Sequence, residues 1–101
     1  MSGYTLTESA ETDLNDILGF IAERDGTGRA LHVYEKFLEA FEALAASPDI
    51  GTRKPYLTDD PIRWWPVFRF LVVYDSQRSP IDILRVIHGA RDLPRLLSKS
   101  E

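Results

Sequence analysis

Residues 62–97 read IRWWPVFRFLVVYDSQRSPIDILRVIHGARDLPRLL, and the reading of this stretch decides the fold. Two apolar runs rich in β-branched and aromatic residues, Phe68–Tyr74 and Ile81–Ile87, flank Asp75-Ser76-Gln77-Arg78-Ser79-Pro80. Strand formers on either side of a cluster of turn formers predict a β-hairpin. Ile62–Pro66 lies just before it and supplies a third strand of the same meander. Arg63, Arg69 and Arg85 fall within these runs, and Arg91 and Arg95 follow them. A small sheet carrying this many guanidinium groups suits either a site for phosphates and carboxylates or a surface that meets an acidic partner.

The alternation along the runs raises a packing question. Phe68, Phe70, Val72 and Tyr74 share one face, and Arg69, Leu71 and Val73 the other. In the last strand Ile81, Ile83, Arg85 and Ile87 alternate with Asp82, Leu84, Val86 and His88. Neither face is cleanly polar. A sheet that is apolar on both sides needs cover on both sides. The second cover is expected from the C-terminal segment, a second copy of the chain or a binding partner.

The first half supplies one cover. Tyr4-Thr5-Leu6-Thr7 alternates and predicts a short first strand, and Thr7 is placed to cap the helix that follows. Glu8, Glu11 and Asp13 stand early in that helix, where its dipole favours anions. Ala10, Leu14, Ile17, Leu18 and Ile21 form one apolar stripe, which Gly26 ends. Ala30, Tyr34, Phe37, Leu38, Phe41, Leu44 and Ala45 form a second stripe, closed by Ser47-Pro48. The short link implies an antiparallel helix hairpin lying across the sheet. The expected architecture is therefore α+β. It comprises an N-terminal strand, an antiparallel helix hairpin, a three-stranded antiparallel meander and a short C-terminal helix. That last helix is expected to be capped by Asp92, with Pro94 in its first turn and Leu93, Leu96 and Leu97 on its apolar side. Residues 48–61, with Pro48, Gly51, Pro55 and Pro61, read as a loop.

Length and composition bound the rest. The 101 residues form a single domain with a modest core, 44% hydrophobic and 28% charged. No apolar run approaches the ~20 residues that span a bilayer. No signal peptide is visible, and the absence of cysteine removes disulfides, thiolate metal sites and a thiol nucleophile. These features fit a cytoplasmic protein. The net charge of −4 conceals a gradient: residues 1–50 hold three Lys/Arg against ten Asp/Glu, and residues 51–101 hold nine against six. That polarity is either functional or a property of solvated helix surfaces. The overall acidity argues against direct DNA binding.

Most catalytic chemistries find no motif. His32 and Glu35 stand one helical turn apart, but two ligands do not make a metal site, so no metal or cofactor is expected. Asp59-Asp60 lies in a Pro-rich loop and reads as turn chemistry. Phosphate loops, nucleophile elbows and zincin motifs are absent. One polar constellation remains: His88 with Arg69, Arg85 and Arg91. A histidine there suits general acid–base work, with arginines on a phosphate. The plainer reading has His88 bonding nearby backbone at a strand end while the arginines pair with Asp75, Asp82 or Asp92. Trp64-Trp65 suits base stacking or, with one ring inward, core packing plus a partner contact.

Three segments carry a family resemblance. They are Tyr4-x-Leu6-Thr7-x-x-Ala10-x-x-Asp13-Leu14-x-x-Ile17, Arg63-x-x-Pro66-Val67-x-Arg69-x-Leu71-x-x-Tyr74, and Ile83-Leu84-Arg85-Val86-Ile87-His88-Gly89-Ala90-Arg91-Asp92. Together with the element order, they resemble the RelE/ParE superfamily of bacterial toxins over essentially the whole chain. The His-Gly-Ala-Arg-Asp run resembles the ParE branch more than the RelE branch. The resemblance implies the toxin of a type II toxin–antitoxin pair, held in a hetero-oligomeric complex by a cognate ParD-like antitoxin with an extended acidic or amphipathic tail. On the ParE branch it implies inhibition of DNA gyrase by protein–protein binding, without catalysis. Arg63, Trp64, Arg69, Arg85, Arg91 and Arg95 are then the expected partner-binding residues. On the RelE branch it implies a ribosome-dependent mRNA endonuclease using Arg69, Arg85, His88 and Arg91. The sequence departs from that branch: Arg63-Trp64-Trp65 stands where repeated lysines are expected, and Leu93–Leu97 holds no Tyr or His. A third possibility is an interaction module without toxicity.

Overall fold

The structure, a computed structural model, describes residues 3–53 and 61–92. In chain order it contains β1 (Tyr4–Leu6), α1 (Glu8–Asp25), α2 (Thr27–Ala46), a 3₁₀ turn (Pro48–Ile50), β2 (Thr52–Arg53), β3 (Ile62–Val67), β4 (Phe70–Asp75) and β5 (Ile81–His88). Residues 89–92 open a further helical turn. The strands form one mixed sheet in the order β1-β5-β4-β3-β2. β1 runs parallel to β5, and the other pairs are antiparallel. The α+β expectation and its meander are thus met, with β2 as an added edge strand. Two residues pairing with Arg63 and Trp64 carry no periodicity of their own, so this strand reads as loop in the sequence. Lys54, Pro55 and Asp59-Asp60, like Leu93, Pro94, Arg95, Leu96, Leu97 and Lys99, lie outside the described residues.

Local signals explain the helix hairpin. Thr7 Oγ1 accepts the Ala10 N–H at 3.1 Å, closing the first turn of α1, and also donates to the Leu84 carbonyl at 2.8 Å. Gly26 ends α1 and starts α2 at φ 94, ψ 162, a backbone conformation open to glycine. The α1 stripe buries Ala10, Leu14 and Ile21, and the α2 stripe buries Val33, Phe37, Ala40, Phe41 and Leu44. Tyr34, expected in the second stripe, is exposed, and Val33 takes the core position. Both stripes pack on the sheet face formed by Val67, Val72, Tyr74, Ile81, Ile83 and Val86.

Two features of the sheet correct the simple alternation. Phe68 is not a strand residue: with Arg69 it forms the two-residue turn between β3 and β4, at φ 54. The register of β4 against β5 also shifts between Val73↔Arg85 and Tyr74↔Ile83, which leaves Leu84 unmatched. The face presented by β5 therefore changes there. Ile81, Ile83 and Val86 face the helices, while Ile87 joins Trp64 and Val73 in a second cluster with Ile62 and Leu71.

That second cluster bears on the covering question, for which the chain's own C-terminal segment, a second copy and a partner are the expected alternatives. Trp64, Val73 and Ile87 are 7%, 7% and 3% exposed within the single chain. The second face therefore needs no second polypeptide to be shielded from water. Trp65 packs into the helix-side core, so the two adjacent tryptophans point to opposite faces.

Candidate functional site

The side chains singled out in the sequence separate into two groups at opposite ends of β3. Arg63 lies near the start of that strand, opposite Tyr74. It donates to the carbonyls of Asp49 (3.2 Å) and Gly51 (2.8 Å) and to Ser76 Oγ, and its Nη2 lies 3.6 Å from the Asp49 carboxylate. Those bonds tie the 3₁₀ turn and β2 onto the sheet, a structural task. Tyr74 completes this tie, accepting the Gly51 N–H at 2.9 Å and donating to the Pro48 carbonyl at 2.6 Å. Burial pushes the Tyr74 phenol pKa up.

The second group surrounds a cleft of about 350 Å³ between α1, the start of α2, the β3–β4 turn and the end of β5. Arg69, His88 and Arg91 line it. Arg85 stands beside it and grips Asp13 on the cleft wall through two bonds, Nε to Oδ2 at 2.7 Å and Nη2 to Oδ1 at 3.0 Å. Asp13 Oδ2 also accepts the Val86 N–H at 3.0 Å. That amide lies on β5 beyond the reach of β1, so a carboxylate takes the place of a neighbouring strand. Asp92 does the same one step further on, accepting the His88 N–H at 2.9 Å while Arg91 Nε donates to it at 2.9 Å. These bonds raise both guanidinium pKa values above the ordinary arginine value, the carboxylate hydrogen bond being the largest cause in each.

His88 has a local duty. Its Nδ1 accepts the Arg91 N–H at 3.1 Å, and its ring meets Phe70 edge-on with centroids 5.6 Å apart. His88 is thus the N-cap of the helical turn that begins at Gly89, and Asp92 returns the favour to the His88 N–H, as in a capping box. This corrects the assignment of the cap to Asp92, because the helix starts earlier than its apolar spacing suggests. With Nδ1 accepting, the ring carries its proton on Nε2. Arg69 differs from its neighbours: its guanidinium is exposed and has no partner among the described residues, while its carbonyl takes the Gly89 N–H at 3.0 Å. Trp64 sits in the second-face cluster with its indole N–H buried and unbonded. No group of three or more His, Cys, Asp or Glu that would hold a metal occurs among the described residues.

The fold and these segments match known proteins. A chain described as the chromosomal ParDE TA system from P. aeruginosa superposes with a TM-score of 0.70 at 22% identity, covering 87% of this chain and 96% of that one. No curated protein matches. The model of the family described as ParE toxin of type II toxin-antitoxin system, parDE, matches residues 4–93. The chain belongs to the ParE toxin family. As a ParE-family chain it is a toxin of the type II toxin–antitoxin class, and the structure accounts for much of the motif the family resemblance rests on. Asp13 and Arg85 are the two ends of one clamp, and His88, Arg91 and Asp92 are one capped turn. No described helix is long and apolar enough to cross a membrane.

Phe20, Arg24, Arg29 and Phe68 are among the cleft residues that the sequence reading did not single out as site residues. Arg24 lies over the Phe20 ring at 5.5 Å and Arg29 over Phe68 at 5.7 Å. Phe20 sits between apolar-stripe positions of α1, and such an off-stripe aromatic is the one signal that marks it in the sequence. Phe68 hides inside a run of strand formers.

Proposed function

We propose that this chain is the toxin of a type II pair that inhibits DNA gyrase in the cytoplasm by binding it, and that a ParD-like antitoxin neutralises it in a hetero-oligomeric complex. The observation that carries this reading over a nuclease is the state of the arginines. A phosphate clamp needs guanidinium groups free to turn toward substrate. Here Arg85 is held by Asp13, Arg91 by Asp92 and Arg63 by the turn after α2, which leaves Arg69 without an ion pair among the candidate arginines that the structure describes. His88 spends Nδ1 on the Arg91 amide.

The endonuclease reading keeps one point in its favour, since Arg69, His88 and Arg91 do line one cleft. The two readings separate in a single design. Purified chain is added to gyrase and relaxed plasmid, and, in parallel, to translating ribosomes with a defined mRNA. Gyrase inhibition predicts loss of supercoiling at near-stoichiometric toxin and intact mRNA. Codon-phased mRNA cleavage with undisturbed supercoiling refutes the proposal. Absence of both effects, with no growth defect on induction, points to an interaction module without toxicity.

A further inference from the structure

We infer that the residues after Asp92, the stretch 93–101, cover the second face of the sheet, with Leu96 and Leu97 set against Ile87 and Trp64. The inference concerns the chain by itself and is independent of the gyrase reading.

The burial of that face demands a cover. Its cluster consists of strand side chains only: Ile62 and Trp64 from β3, Leu71 and Val73 from β4, and Ile87 from β5. Every buried residue of α1 and α2 belongs to the other cluster. Side chains standing on a bare sheet face shield one another at their flanks, while their tips stay in water. Ile87 is nevertheless 3% exposed, and the large Trp64 side chain 7%. The cover therefore belongs to this chain and lies outside the described residues. Met1-Ser2 precedes β1, which pairs with Ile81–Ile83 at the start of β5, far along that strand from Ile87. Two stretches remain, 54–60 and 93–101.

Position and chemistry select the second of these. Arg53 pairs with Arg63, so 54–60 leave and rejoin the sheet beside Ile62. Ile87 pairs with Leu71, and Leu71 with Pro66, which is four residues further along β3, or ~13 Å at ~3.3 Å per residue. Asp92 stands five residues past Ile87, so 93–101 begin at the end of the face that 54–60 leave distant. Nine residues span ~13 Å even when wound into a helix at ~1.5 Å each, enough to pass from Ile87 back toward Ile62. Trp64 decides the chemistry, because its indole N–H is buried and unbonded. Whatever lies on it offers no acceptor. Tyr56, Thr58, Asp59 and Asp60 would bring side-chain oxygens there, whereas Leu93, Leu96 and Leu97 bring hydrocarbon alone, at the three- and four-residue spacing of one apolar side.

The test is nuclear magnetic resonance on the full chain, isotope-labelled at its leucine and isoleucine methyls, with Trp65→Phe assigning the Trp64 indole signal. Overhauser contacts are expected from the Leu96 or Leu97 methyls to the Ile87 methyls and the Trp64 ring. Hydrogen exchange of the Trp64 indole N–H is expected to accelerate tenfold or more in Leu96→Asp/Leu97→Asp and less than twofold in Tyr56→Ser/Leu57→Ser. Unchanged exchange at the Val72 and Ile83 amides, on the helix side, separates loss of cover from loss of fold. Should the double leucine variant fail to fold, the contacts in the parent decide alone. Absence of any contact from 93–101 to Ile87 overturns the inference, as does indole exchange within twofold of the parent in a folded double variant. Contacts to Ile87 from Tyr56 or Leu57 overturn it in favour of the loop. Contacts seen only between differently labelled chains overturn it in favour of a second copy.

Discussion

Asp13 is the residue on which removal of three atoms should be felt most widely. Its carboxylate is 17% exposed and receives three hydrogen bonds, two from Arg85 and one from the Val86 amide. The ion pair alone is worth little, because the Arg85 side chain is 47% exposed; a surface pair contributes ~0.2–1 kcal/mol. The larger part is the bond from a backbone amide to a charged acceptor, ~1.5–3 kcal/mol. Asp13→Ala is therefore expected to lower stability by about 2–3 kcal/mol, and Asp13→Asn by about 1 kcal/mol less, since an amide oxygen still accepts from Val86. Arg85→Ala should cost less than Asp13→Ala, about 1 kcal/mol, because it spares the Val86 bond. Urea denaturation followed by tryptophan fluorescence measures all three. With a slope of ~1–3 kcal/mol per molar for a small domain, the alanine variant at position 13 should lose about 1 M or more in midpoint. If Arg85→Ala proves as damaging as Asp13→Ala, the carboxylate is only a counter-ion and the idea that it stands in for a strand is wrong.

Three other expectations follow from the opposite end of the sheet and from the capped turn. Gly51→Ala places a Cβ 2.7 Å from Cε1 and 2.9 Å from Cζ of the fully buried Tyr74 ring, and still nearer its hydroxyl, so thermal melts should report an overpacking loss of ~1–3 kcal/mol. Tyr74→Phe removes the acceptor of the Gly51 amide and the donor to Pro48, a loss of ~1–3 kcal/mol at neutral pH. The folded phenol pKa is raised, so its contribution is complete below the unfolded value of ~10 and disappears as pH climbs through the folded value. Alkaline melts of the variant should lack that component and keep the one from Tyr4, whose pKa is raised chiefly by burial as well. His88→Ala should weaken the helical turn that begins at Gly89 by ~1 kcal/mol while leaving growth arrest on induction close to that of the parent; loss of that arrest together with a ~10²-fold or greater loss of mRNA cleavage would instead make it an acid–base residue.

What the sequence reveals and conceals here follows from the range of each interaction. The helix stripes and the Thr7 cap are local, with partners three or four residues apart, and they are read without error in type. The strand meander is nearly as legible, because β-branched runs bounded by polar turns leave few alternatives. Phe68 is misread for a physical reason: Val67-Phe68-Arg69-Phe70 contains no glycine, asparagine or proline, so its tight turn exists against the local preference. The shift at Leu84 is hidden because Ile83, Leu84, Val86 and Ile87 are apolar whichever way they point. The partners of the arginines are hidden because Asp13 precedes Arg85 by 72 residues, and an acidic residue early in a helix already has a sufficient local explanation.

That last point changes the meaning of the charge gradient. An acidic first half and a basic second half suggest two surfaces awaiting two partners. In the fold, Asp13 meets Arg85 and Asp49 meets Arg63, so part of the gradient is spent joining the halves to each other. Both contacts sit where the sheet would otherwise end raggedly. Arg63 holds the short β2 edge, and Asp13, with Asp92, occupies the amides of β5 beyond β1. An open strand edge invites unwanted pairing with other chains, and side chains that fill its amides close it. The ionic residues most conspicuous in the sequence thus serve largely to finish the sheet. Among the candidate arginines that the structure describes, Arg69 stands out because no such task claims its guanidinium, so its charge reversal should alter recognition of a partner before it alters the fold.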